Sequence, residues 1–412
     1  MVLLIAWKRF IELSVPLPAV SPPAIAVEGV CLRHKVLIVT GTRPQFIKCA
    51  PLIEEILKHR DEIDLGLVNT GQHYDKMMSE VFFEELALPR PVLELDVGSG
   101  SHATQTARIM VGMEQATMRL DPELVIVAGD TNTTLGSALG CVKLRIPVAH
   151  VEAGMRSYED MPEETNRRLT DHCSSLLFAP TRTGVRNLYR EGIQGKRVLL
   201  SGDTMLDLLL RNAPYIDHVG AEILERQRLS ARRYVYATVH RAANVDNDRS
   251  LTNIVADLSE IADELPIFFA IHPRTRKRMR DVKIRRLSGK LLLHRPVSYL
   301  QSISLTKNAA LVITDSGGLQ KEAFLLGTPC VTVRKNTEWP ETLLGGANRL
   351  VAPMRGCIRN AFNDALRART RSRVSTRNRL FGNGKAAVRI AEGISKYLKC
   401  PHQYRDQPAY AR

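Results

Sequence analysis

The chain has 412 residues, 44% hydrophobic and 25% charged, which is too long for one ordinary core and apolar enough to bury two without a staple. Seven cysteines, odd in number and without a Cys-x-x-Cys pair, exclude a disulfide framework and a zinc site and fit a reducing compartment. A net charge of +15 admits an anionic ligand, but no nucleic-acid motif or aromatic interleaving accompanies it, so nucleic acid is not expected as a partner.

Residues 1–33 read as an extension outside the fold. "VLLIAW" is too short to span a bilayer and has no basic segment before it, and "VPLPAVSPPAIAV" is too proline-rich for a helix. No later run is long enough to cross a membrane, so stable membrane insertion is not expected. From residue 34, short apolar runs recur with room for a helix between them: "KVLIVT" (35–40), "LGLVNT" (65–70), "LVIVAG" (124–129), "VAHVEA" (148–153), "LLFAP" (176–180) and "RVLLSG" (197–202). A second set follows: "YVYATVH" (234–240), "IFFAIHP" (267–273), "KLLLHRPV" (290–297), "ALVITDS" (310–316), "CVTVR" (330–334) and "RLV" (349–351). Continuous rather than alternating apolarity marks strands covered on both faces, as in a parallel sheet. The intervening segments read as helices; "PQFIKCAPLIEEILKHR" (44–60) opens on proline and carries apolar residues at helical spacing. The fold class is therefore α/β, with two Rossmann-like doubly wound domains facing a cleft. The domains are expected at 34–205 and 206–380, with a helix at about 384–398 crossing back to the first and a tail at 399–412. Two basic runs, 274–286 and 367–379, read as solvated faces.

Ligands of such sheets sit beyond the carboxyl ends of the strands. There the sequence gathers Gly41-Thr42-Arg43, Gly71-Gln72-His73, Gly129-Asp130, Glu152, His240-Arg241, Asp315-Ser316-Gly317-Gly318 and Arg334. "TDSGGLQKEA" (314–323) runs from strand to helix, and Ser316, Gly317 and Gly318 offer amides and a helix N-terminus to phosphate. It is neither a P-loop nor a dinucleotide fingerprint. Glu322 lies where it can accept from ribose hydroxyls. Arg43 and Lys48 flank a helix start and can offset diphosphate charge. Asp130, Glu152 and Glu163 are separate carboxylates suited to removing and returning protons. Arg167 follows Glu163 by four and is placed on the same helix face. Glu159, Asp160 and Glu164 are read as ordinary loop acids. His240 suits phosphate binding or catalysis. The histidines show no metal-ligand spacing, so no metal is expected.

Six stretches in order, "GTRPQFIKCAPLI", "NTGQHYDKMM", "GDTNTTLGSAL", "HVEAGMRSYEDMPEETNRRLTDH", "HRAANVDN" and "TDSGGLQKEAFLLGTPCVTVRKNTEWPE", resemble the non-hydrolysing UDP-N-acetylglucosamine 2-epimerases from about residue 35 to 397. The resemblance implies a glycosyltransferase-B-like fold and a cytoplasmic enzyme that needs no cofactor. It implies elimination of UDP to 2-acetamidoglucal and re-addition with the carbon 2 proton on the opposite face. By resemblance Asp130, Glu152 and Glu163 match the catalytic acids. Arg43, Lys48, Arg167 and His240 match basic groups at the nucleotide, and Gln72, Ser316, Gly317, Gly318 and Glu322 match UDP contacts. His73 and Arg334, at strand ends, are assigned to substrate. A homodimer and activation by the substrate itself are also implied.

The chain departs from the family pattern at Gln45, Ala243, Lys321 and Trp339. Gln45, Lys321 and Trp339 are similar to a branch acting on UDP-2,3-diacetamido-2,3-dideoxyglucuronic acid, so that sugar stands as an alternative substrate. A UDP-sugar glycosyltransferase with the same fold and a similar phosphate cradle, a hydrolysing epimerase and a non-enzymatic UDP-sugar binder stand as further alternatives.

Overall fold

The computed structural model describes residues 33–72, 83, 85–284, 287–368 and 379–404. The extension before residue 33, His73 and most of the 367–379 basic run lie outside the described residues. The first half contains β1 (His34–Thr40), α1 (Arg43–Leu57), β2 (Ile63–Asn69), β3 (Leu93–Glu94), α2 (His102–Leu120), β4 (Leu124–Ala128) and α3 (Asn132–Lys143). It continues through β5 (Val148–Val151), α4 (Pro162–Cys173), β6 (Leu176–Ala179), α5 (Arg182–Arg190) and β7 (Val198–Leu200). Helices α6 (Thr204–Arg211) and α7 (Ala213–Arg226) lead to the second half. That half contains β8 (Val235–Thr238), α8 (Ala242–Val245), α9 (Asp248–Glu264), β9 (Ile267–Ala270), α10 (Pro273–Asp281), β10 (Leu291–His294) and α11 (Tyr299–Asn308). It ends with β11 (Leu311–Thr314), α12 (Gly317–Leu326), β12 (Cys330–Thr332), β13 (Asn348–Leu350) and α13 (Cys357–Ala368), before a last helix, α14 (Ala386–Lys399).

Two wholly parallel sheets result, ordered β3-β2-β1-β4-β5-β6-β7 and β10-β9-β8-β11-β12-β13. The continuous apolar runs are the reason. Leu124–Ala128 is buried at every position, as is Leu311–Thr314, because helices cover both faces. The exception to the sequence pattern is β3, two residues paired to Val68 and Asn69, too short to show a run. Strand order reverses between β1 and β4 in the first sheet and between β8 and β11 in the second. Those are the points where adjacent crossovers leave to opposite faces and a crevice opens.

A third apolar cluster lies between the halves: Phe46, Ile47 and Ala50 from α1, Met205, Leu206, Leu208 and Leu209 from α6, Phe324 and Leu325 from α12, Trp339 and Phe381. It closes the floor beneath the crevice. Helix α14 packs on the first sheet. Its Ile390, Ile394 and Tyr397 join the core of β1, β4 and α1, each contributing about 1.5–3 kcal/mol by burial, and Lys399 reaches Glu62 at 3.0 Å. No described helix is long and apolar enough to cross a membrane. The basic α10 is partly neutralised, with Arg274 paired to Asp246 and Arg278 to Asp248.

Candidate active site

Both reversal points carry the chemistry that the strand ends promised. At the first, β1 turns through Gly41 into α1. A side chain on Gly41 would overlap the Thr70 and Thr133 hydroxyls, which hydrogen-bond each other at 2.8 Å. Pro44 occupies the first helical turn, where no N–H is needed. Gln45 points inward; its amide donates to the Ala128 carbonyl and the Thr134 hydroxyl, both at 3.2 Å. This departure from the family pattern therefore stitches α1 to the end of β4. One turn on, Lys48 forms an ion pair with Glu152 Oε2. Gly129, at φ +73°, leaves room for it, since a Cβ there would lie 2.8 Å from Lys48 Nζ.

Glu152 follows β5 with φ +72°, a left-handed conformation unusual for a residue with a side chain. Its N–H and that of Ala153 both donate to the Phe178 carbonyl at 3.1 Å, which holds the turn. Burial works against the Lys48 charge, but Glu152, Asp130 and Asp203 outweigh it and hold the ammonium well above its usual range. Beneath this layer, buried His150 presents one ring nitrogen to Asp171 at 2.7 Å and the other to the Gly129 carbonyl at 2.8 Å. Asp171 also takes Arg156 at 2.8 Å, and Arg156 continues to Glu191. This network anchors the turn that carries Asp130.

Asp130 Oδ2 accepts from Arg167 Nε at 3.0 Å and from its terminal nitrogen at 2.7 Å. Burial alone would raise its pKa; the Arg167 and Lys48 charges win and hold it at about 2. Arg167 also donates to Glu164 Oε2 at 2.8 Å, and Glu164 accepts from the Ser157 N–H at 2.8 Å. Glu164 is therefore not a loop acid. It is buried and, three residues before Arg167, holds that guanidinium on Asp130. Glu163 stands in the first turn of α4, partly exposed, and does not supply the carboxylate that Arg167 takes. Glu163 and Arg167 share one helix at a spacing of four, but the acid on that helix which engages Arg167 is Glu164. Asp160 is exposed, as read.

At the second reversal point, Asp315 is completely buried. It accepts from the His240 N–H at 3.1 Å, the Arg241 N–H at 2.9 Å and the Asn244 amide at 3.1 Å, locking the turn after β8 to that after β11. The His240 ring is half-exposed, its Nδ1 3.4 Å from Asp315. Ser316 caps α12 by accepting from the Leu319 N–H at 3.3 Å. The N–H groups of Gly317 and Gly318 lie in the first turn, where no helical carbonyl can take them. Glu322, one turn further in, is buried, and that burial pushes its carboxyl up to about 7 against the pull of Lys321 and Arg43. The latter reaches over from the first half to the Val297 carbonyl at 3.3 Å.

One acid set aside in the sequence pattern joins the halves. Arg334 donates to Glu338 at 2.6 Å and to Glu159 at 2.9 Å, so Glu159 is a bridge between the halves rather than a solvated loop acid. The assignment of Arg334 to substrate is qualified in the same way, because two carboxylates already engage it. Gln72 likewise accepts from the Thr133 N–H at 3.0 Å and its hydroxyl at 2.8 Å. A Cβ on Gly317 would overlap Glu338 Oε1. Gly317→Ala should push Glu338 off Arg334 and lower stability by about 1–3 kcal/mol, measured by urea unfolding. An unchanged midpoint would mean that Glu338 yields freely.

Asp315, Asp203, Lys321 and Glu338 carry much of this geometry without having been picked as site residues. Asp315 stood in a strand-end motif and was within reach of sequence reasoning. Asp203 and Lys321 meet at 2.5 Å across 118 residues, a pairing with no local signal.

The family model for UDP-N-acetylglucosamine 2-epimerase matches residues 55–395. A UDP-N-acetylglucosamine 2-epimerase of Methanocaldococcus jannaschii is 42% identical over 86% of this chain and 97% of its own length. A UDP-2,3-diacetamido-2,3-dideoxy-D-glucuronate 2-epimerase of Pseudomonas aeruginosa is 41% identical over 88% of this chain and 99% of its own. The crystal structure of the Methanocaldococcus jannaschii enzyme in complex with UDP-GlcNAc and UDP superposes with a TM-score of 0.80 over 88% of this chain and 100% of that one, at 42% identity. The two-sheet architecture is thus shared with an epimerase, and the chain belongs to the UDP-N-acetylglucosamine 2-epimerase family.

Proposed function

We propose that the protein interconverts UDP-N-acetylglucosamine and UDP-N-acetylmannosamine by eliminating UDP and adding it back. One observation carries this reading: Lys48–Glu152 and Arg167–Asp130 sit side by side at the first reversal point, and the first turn of α12 forms the second. Diphosphate at the α12 N-terminus, with Arg43 and His240 beside it, sets the sugar ring over the two carboxylates. As the bond from carbon 1 to oxygen breaks, its electron pair leaves with UDP. A carboxylate takes the carbon 2 proton, and the C–H pair becomes the carbon 1–carbon 2 double bond. Re-addition with the proton delivered from the other face inverts carbon 2.

A carboxylate at about 2, as in Asp130, is a weak base. It can remove that proton only once departure of UDP has made carbon 1 strongly electron-poor. Leaving-group stabilisation by the basic groups is therefore the larger demand, and it fits the chain's cationic strand ends. Glu163, in the first turn of α4, completes the set of three acids facing the sugar. Gln72 and Ser316 hold the loops that face the nucleotide, and Glu322 receives the ribose.

N-acetylglucosamine is favoured over the diacetamido uronic acid because Lys321, the added cation, is taken by Asp203 and Glu152 and leaves a sugar carboxylate nothing to bind there. A cytoplasmic homodimer activated by its own substrate, with a domain division at 205/206, completes the reading. The test is incubation with each UDP-sugar in deuterium oxide. UDP-N-acetylmannosamine bearing deuterium at carbon 2 is expected; product without label would sink the mechanism. Turnover of the uronic acid alone would reverse the substrate assignment, and free sugar as main product would indicate hydrolysis.

A further inference from the structure

Lys321 is the least expected side chain in the crevice. It stands on α12 in the second half, 1% exposed, and its ammonium is shared among three groups. Asp203 Oδ2 is 2.5 Å away and Glu152 Oε1 3.5 Å away, and the Trp339 ring centroid lies 3.9 Å beneath it. Two carboxylates and an aromatic face thus surround the ammonium. Glu152 meets Lys321 through Oε1 and Lys48 through Oε2, so each carboxylate oxygen faces a different lysine. One lysine comes from the first half and one from the second.

We infer that Lys321 is a positioning residue for Glu152: it fixes the carboxylate plane from the opposite half, so that Glu152 is aimed at the sugar only when the two halves are closed. The inference rests on the epimerase reading above. A buried carboxylate on a flexible two-carbon stem, held by one ammonium, can still rotate about that contact. A second ammonium on its other oxygen removes the rotation. The strained backbone of Glu152 sets where the side chain starts, and the two lysines set where it ends. Because Lys321 rides on the helix whose first turn is offered to the diphosphate, seating the nucleotide and aiming the carboxylate become one event.

A purely structural role is the competing reading, with Lys321 present only to neutralise buried Asp203. The two are separable by substitution. Lys321→Met keeps an unbranched stem against Trp339 but leaves Asp203 unpaired. Adding Asp203→Asn removes that charge while retaining the cap that Asp203 gives to the Met205 N–H at 2.8 Å. The double variant should fold and bind UDP with a Kd within about threefold of wild type. Its kcat should remain at least about thirtyfold down, with KM little changed, since an interaction important to the transition state is lost. Lys321→Met alone should be slow as well.

Recovery of kcat to within threefold of wild type in the double variant would overturn the inference and leave a charge-neutralising role; so would a single variant as fast as wild type. If Lys321→Met unfolds, the double variant decides alone. The same assay run on the unaltered protein tests the underlying reading separately, because absence of epimerisation there, not in the variants, is what would remove it.

Discussion

Glu152→Gln should lower the epimerisation rate about a thousandfold while UDP affinity changes no more than a few-fold. Positioned proton transfer contributes on the order of 10²–10⁴, and the amide has the carboxylate's shape without its capacity to take a proton. The substitution also leaves Lys48 and Lys321 facing a neutral group. Asp130 and Asp203 remain beside them as partial compensation, so the fold should survive with a loss of about 3 kcal/mol. Initial rates and deuterium exchange at carbon 2 are the measurements. Exchange at the wild-type rate would show that Glu152 handles no proton and would shift that task to Asp130.

Arg167→Met should be the most destabilising single change in the site, at about 3–5 kcal/mol, because it leaves Asp130 and Glu164 without their shared cation. It should also reshape the dependence on pH. The folded pKa of Asp130 is depressed from 3.8 to about 2, so its contribution is present above about 4 and lost as pH falls through 2. At 1.36 kcal/mol per unit that contribution is about 2 kcal/mol. Burial works against the Glu164 charge, but bonds from Ser157 and the Arg167 charge depress its pKa too, and the sign is the same. The gap in stability between wild type and variant should therefore narrow between about pH 4 and pH 2. Unfolding in urea across that window checks it, and a constant gap would show that Arg167 does not stabilise the charged carboxylates.

How much of this was legible depends on the length scale of the signal. Strands such as Leu124–Ala128 announced themselves because two covered faces leave no polar position in the run. Residues at their ends, among them Asp130, Glu152, His240 and Ser316, could be picked because topology alone sends them to the crevice. The partners of those residues could not. Glu159 and Arg334 meet across 175 residues, and Glu152 meets Lys321 from the opposite half. The role of Glu164, read as a loop acid, was hidden for a different reason. Helical spacing allows both i+3 and i+4 pairs, and the choice was made by Ser157, whose N–H draws Glu164 inward.

The return of α14 to the first sheet has a consequence for synthesis. The core around β1, β4 and α1 includes Ile390, Ile394 and Tyr397, so the half that emerges first from the ribosome cannot be completed until the last segment has been made. At roughly 5–20 residues per second, the stretch from Leu200 to Ala386 takes on the order of 10–40 s. Throughout that interval the apolar ground reserved for the final helix stands open, and a nascent chain arrested before it would present that surface to chaperones rather than to its own terminus.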